Sequence, residues 1–158
     1  MIEIGPLDPA SDAAAALLAA SDAYLGALYP AESNHLESVA GLQQTHVLFL
    51  GARVDGQVCG CGAVKILHDD GSYGELKRLF VTPAARGRGV ARRLMAALEH
   101  HLRQQDIRLA RLETGIHQPE ALALYQRLGY TLRPPFGQYQ PDPLSMFLER
   151  SLEDGGGS

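Results

Sequence analysis

The sequence predicts a mixed α/β fold of the α+β kind, with about six to seven strands and about four helices. Three observations carry this. Two β-rich runs, "HVLFLGARV" and "QVCGCGAVKIL", are joined by Asp55-Gly56, the dipeptide most favoured in tight hairpin turns. Further on, Val90, Leu94, Met95, Ala97, Leu98 and Leu102 recur at helical spacing as one apolar stripe. From there to the end, strand-like and helix-like runs alternate. At 158 residues and 46% hydrophobic content the chain can bury one core but is too short for two ordinary domains. Residues 1–152 are therefore expected to form a single domain. The closing "EDGGGS", 153–158, has linker composition and reads as a flexible tail.

Taken in order, "MIEIGPL" is a short first strand, and Asp8, Pro9, Ser11 and Asp12 are helix-start residues for a helix from about Asp12 to Leu28. Pro30 opens a second start signal, and Leu36, Val39 and Leu42 at three-residue spacing predict one face of a second helix. The hairpin follows. The run "ELKRLFV" is a third strand of the meander, with Leu76 and Phe80 on one face and Lys77, Leu79 and Val81 on the other, ending at Thr82-Pro83. The helix from Val90 to about Arg103 comes next, then "RLARLET" as a strand. After it come a helix started by Pro119 and stopped by Gly129, the strand "YTL" and a last strand within "LSMFLERSL".

Composition excludes several function classes. There is no run long and apolar enough for a membrane span, and the Ala-rich stretch near the N-terminus is preceded by Asp8 and Asp12, unlike a signal peptide. Cys59 and Cys61 alternate onto one strand face, which suits neither a disulfide nor, with no zinc-type histidine spacing, a metal site. They read as small buried thiols, no metal is expected, and the expected location is cytoplasmic. With 14 Lys+Arg against 18 Asp+Glu the chain is acidic, so the arginines around "ARGRGVARR" are a local concentration suited to a small anion.

That stretch joins a strand to a helix. A helix beginning after a glycine-rich loop presents unpaired backbone N–H groups, and its dipole adds partial positive charge. Gly87 and Gly89 let the backbone wrap closely around phosphate oxygens, and Arg86, Arg88 and Arg92 add charge. A diphosphate is a guest of the right size. Neither a P-loop nor the Rossmann fingerprint fits the spacing.

The string "RGRGVA", Arg86 to Ala91, resembles the Arg/Gln-x-x-Gly-x-Gly/Ala signature of the GNAT acetyltransferase superfamily, between the strand and helix where that family carries it. The later "QPEALALYQRLGY" is similar to the family's second signature, with Gln118 where many members have Asn. The resemblance spans residues 2–150 and implies a twisted sheet splayed between strands 4 and 5, with acetyl-CoA wedged in the splay. It implies a pyrophosphate on Arg86, Gly87, Arg88, Gly89, Val90 and Ala91 with Arg92 beside them, and a pantetheine arm along Leu79, Phe80 and Val81. Gln118, Ala121 and Tyr125 face the cofactor from the last helix.

For acetyl transfer by direct attack, the resemblance implies the backbone N–H of Leu79 as donor to the thioester oxygen and Tyr125 as the acid that protonates the departing thiolate. Glu75 is the candidate base for the amine, with His117, Glu113 and Tyr139 as substitutes. The acceptor's side of the cleft offers Tyr29, Glu32, His35, Arg78 and Tyr139. Acidic residues there suit a cationic amine and Arg78 suits a carboxylate, so a small molecule or amino-acid-like primary amine is expected, with a peptide or protein amine as the alternative. A non-catalytic acyl-CoA-binding module is a rival. Nucleic-acid and membrane partners are not expected, and a homodimer is left open.

Overall fold

The computed structural model describes residues 1–34 and 36–153. The strands are β1 (Ile2–Pro6), β2 (Val47–Val54), β3 (Gln57–Leu67), β4 (Tyr73–Val81), β5 (Leu109–Gly115), β6 (Thr131–Arg133) and β7 (Ser145–Ser151). The helices are α1 (Asp12–Leu28), α2 (Val39–Leu42), α3 (Val90–Gln104) and α4 (Pro119–Arg127). The expected α/β class, strand count and element order are those observed. The tail falls outside the described residues except for Glu153.

The strands form one sheet in the order β1-β2-β3-β4-β5-β7-β6. All neighbours are antiparallel except β4 and β5, which pair in parallel only at Gly74–Ala110, Glu75–Arg111 and Leu76–Leu112. Beyond Leu76 the two strands part, leaving the rest of β4 without a neighbour on that edge. This is the expected splay.

Each helix has a local cause. Ser11 caps α1 by accepting from Ala14 N, and Asp12 places negative charge in the first turn. α3 buries Val90, Leu94, Met95, Leu98 and Leu102 on one sheet face, where they join Leu76, Leu79 and Val81 in the larger core. α1 covers the opposite face with Ala14, Leu17 and Leu18 against Phe49, Cys61 and Phe80.

Three local expectations are corrected. The second helix shrinks to a 3₁₀ turn, Ala31–Ser33, and the single turn of α2. Polar side chains divide the segment: Ser38 accepts from Gly41 N as the N-cap of α2, so the helix starts only there, and Ser33 bonds Asp142. Leu36 and Val39 are exposed and only Leu42 is buried, so the three-residue spacing marks no common face.

The second correction concerns β4. Cys61 lies opposite Phe80 and Ala63 opposite Lys77, so Arg78 and Leu79 together face the single residue Gly62. This is a β-bulge, with Arg78 at φ +58°. It inverts the alternation, so Leu76 and Leu79 face α3 whereas Phe80 faces α1. The expected pairing of Leu76 with Phe80 on one face therefore fails.

A second bulge separates the cysteines. Ala52 pairs with Gly60 but Arg53 with Val58, leaving Cys59 with no partner on β2. Cys59 joins the α3 face and Cys61 the α1 face, rather than sharing one. Both are buried and free, as expected.

Candidate active site

The splay opens two cavities, one on each side of the sheet's gap. The larger, about 630 Å³, runs from Leu79, Phe80 and Val81 to Arg86, Gly87, Gly89, Val90, Ala91 and Arg92, with Gln118, Ala121 and Tyr125 across from them. Gly87 and Gly89 adopt φ +83° and +80°, a conformation glycine enters without strain, and no heavy atom crowds the position of a side chain at either. Gly89 is the N-cap of α3 and supplies no side chain, so the first N–H groups of the helix are left for a guest.

Arg86 is anchored rather than loose. Its Nε donates to Val81 O at 3.0 Å, and its guanidinium lies 5.8 Å from the Phe80 ring centroid and 5.9 Å from that of Tyr24. Arg88 is exposed and does not line the cavity.

The smaller cavity, about 100 Å³, lies toward α1 and the 134–144 segment. Glu75 is 5% exposed at its inner wall. The Tyr139 hydroxyl donates to Glu75 Oε2, and Lys77 Nζ lies 3.4 Å from the same oxygen and 3.1 Å from the Tyr139 hydroxyl. Burial first, then the Glu75 charge, pushes the Tyr139 phenol far above its ordinary value, so it keeps its proton and can only donate to the carboxylate. Lys77 also reaches Glu37 at 3.7 Å, and Lys65 reaches the same Glu37 oxygen at 3.4 Å. Glu113 lines the opposite wall and accepts from Ser145 Oγ at 2.7 Å.

The remaining predicted acceptor residues divide. Tyr29 lines the cavity from the end of α1, its ring stacked on His117 with centroids 5.4 Å apart. Arg78 lines it too, but its side chain is 4% exposed and its guanidinium is taken by Asp22 of α1 at 2.7 Å. The residue as a whole is only half-buried, so the exposed part of Arg78 is its main chain, at the bulge. Glu32 is exposed and outside the lining, and His35 lies outside the described residues.

Leu79, Gln118 and Tyr125 line both cavities. Tyr125 is buried, and burial followed by the charge of Glu113 pushes its phenol up to about 12. Sequence reasoning missed Glu37 and Lys77. Lys77 read only as one face of β4, and Glu37 sits in an irregular segment with no periodic signal.

The acetyltransferase (GNAT) family model matches residues 15–130. An IAA acetyltransferase of Azospirillum brasilense is 46% identical over 151 residues, covering 96% of this chain and 98% of that protein. Among solved structures, a Klebsiella pneumoniae protein assigned as an acyl-CoA N-acyltransferase superposes with TM-score 0.81 at 39% identity, covering 96% of this chain and 98% of the other. The PaiA N-acetyltransferase of Thermoplasma acidophilum, solved with coenzyme A, shares the fold at TM-score 0.73 and 20% identity, covering 96% and 99%. The chain belongs to the acetyltransferase (GNAT) family and is an acetyl-CoA-dependent N-acetyltransferase.

Proposed function

We propose that the protein transfers the acetyl group of acetyl-CoA to the primary amine of a small or amino-acid-like molecule by direct attack in a ternary complex. The observation that carries this is the meeting of two cavities at Leu79, Gln118 and Tyr125. The larger fits the cofactor: a glycine cradle with open space at a helix N-terminus, beside Arg86 and Arg92, continuous with the unpaired part of β4. The smaller suits a small acceptor better than a polypeptide. The cofactor supplies an acyl group activated as a thioester.

The chain's residues supply the rest. The main chain at the Arg78–Leu79 bulge faces the splay with no β5 partner, which supports the Leu79 N–H as donor to the thioester oxygen. Glu75 takes a proton from the acceptor ammonium, while Tyr139 and Lys77 orient its carboxylate. Tyr125, with its proton firmly held, donates to the leaving sulfur at the junction. The family resemblance implies the same roles for Leu79 and Tyr125, and leaves Glu75 as the candidate base with His117, Glu113 and Tyr139 as substitutes.

Calorimetric titration of acetyl-CoA tests the cofactor site. Wild type is expected to bind, and Gly89→Asp, which sets bulk and negative charge in the cradle, is expected to lose binding while remaining folded. Absence of binding by wild type would sink the reading. In an amine panel, Glu75→Gln is expected to flatten the acidic limb of the pH–rate profile, and an unchanged limb removes Glu75 from the role of base.

A further inference from the structure

The side chain of Gln118 has only one orientation that its neighbours allow. Gly115 N lies 3.3 Å from one end of the carboxamide, and a backbone N–H can only donate, so that end is Oε1. The Tyr29 hydroxyl lies 3.1 Å from the same oxygen. That hydroxyl must in turn accept from His117 N at 3.0 Å, which leaves its own proton for Gln118. Two obligate backbone donors thus fix the amide against a flip. Burial holds the Tyr29 proton above its ordinary range.

Gln118 lines both cavities, and its Nε2 has no hydrogen-bond partner among the described residues. The lock crosses from the end of α1 to the loop before α4. It also needs Gly115: a Cβ there would overlap the Tyr29 hydroxyl.

We propose that Tyr29 is a positioning residue whose hydroxyl locks the Gln118 carboxamide so that its NH₂ faces the cavity junction and donates to the carbonyl oxygen of the bound acetyl group. The inference rests on the acetyl-transfer reading above. It gives Tyr29 a task distinct from holding the acceptor. With the hydroxyl gone, the Gly115 N–H at 3.3 Å is the one donor left on Oε1, so the NH₂ is held less firmly toward the junction.

A double-mutant cycle with Tyr29→Phe and Gln118→Ala tests it, because a residue acting through another adds nothing once that other is gone. Each single variant is expected to weaken acetyl-CoA binding and lower kcat/KM by about tenfold, the loss of one good hydrogen bond, and the double variant is expected to match Gln118→Ala. The loss of affinity is expected to be larger for acetyl-CoA than for coenzyme A without the acetyl group in all three. Additive losses, or equal weakening of coenzyme A and acetyl-CoA, would overturn the lock. Tyr29→Phe keeps the ring and its stacking on His117, and thermal unfolding of each variant separates a lost lock from a lost fold. Failure of wild type to bind acetyl-CoA at all would sink the parent reading instead, so the two failures are distinct.

Discussion

Tyr125 shows how burial sets a residue's chemistry. A phenol pushed up to about 12 by burial and by Glu113 keeps its proton through the whole range in which an enzyme is assayed. Any alkaline limb of the pH–rate profile between about pH 7 and 10 therefore belongs to another group. Tyr125→Phe is expected to lower kcat by about 10²-fold at unchanged acetyl-CoA affinity, without moving either limb. Steady-state kinetics across pH check this, and a displaced alkaline limb would assign that limb to Tyr125. Tyr125 was legible in the sequence because it sits inside a signature string. The Tyr29–Gln118 contact was not, since its partners are 89 positions apart and neither residue type demands the other.

At the scale of elements, the patterning rules held where ladders and helices were regular and failed where one residue was added. Alternation assumes an unbroken ladder, and a bulge moves every later side chain to the other face. That is why the length of β4 was legible but the side occupied by Phe80 was not, and why Cys59 and Cys61 parted. The β4 bulge holds Arg78 in the left-handed region, which costs a residue with a Cβ about 1–2 kcal/mol, and ties its side chain to Asp22 on α1. Arg78→Ala loses the ion pair and keeps the strain, whereas Arg78→Gly loses the ion pair and relieves it. The glycine variant is accordingly expected to be more stable than the alanine variant by about 1 kcal/mol, despite glycine's larger chain entropy when unfolded. Urea unfolding of the pair decides the matter, and an alanine variant equal or superior to glycine would show that the backbone at Arg78 is unstrained.

For the whole molecule, the two halves of the sheet share only the three residue pairs between β4 and β5, so other contacts must hold the splay at a fixed width. Buried phenols supply several of them. The Tyr130 hydroxyl donates to the buried Glu99 of α3 at 2.6 Å, and Arg150 of β7 reaches the same carboxylate at 2.7 Å. Tyr139 bonds Glu75 across the smaller cavity, and within the β5-β7-β6 half Tyr125 packs edge-on against Tyr130 with centroids 6.1 Å apart. In all three phenols burial is the leading cause of an upward shift, reinforced by a carboxylate. An unfolded tyrosine loses its proton near pH 10 while these keep theirs, so above about pH 10 the unfolded chain binds fewer protons and stability falls as pH rises. Each contributes a slope of about 1.4 kcal/mol per pH unit, about 4 together, against a stability of about 5–15 kcal/mol for a typical domain. The buried Cys61 thiol, pushed up to about 12 by burial, starts the decline nearer pH 9. The stability these groups give is intact at neutral pH and lost on the alkaline side, with no matching loss on the acid side from the same groups. Phenolate absorbance is therefore expected to lag behind a simple titration at pH 10 and then to rise together with the loss of helical circular dichroism. Free ionisation of these tyrosines near pH 10 with the circular dichroism still native would show that they are not what holds the splay closed.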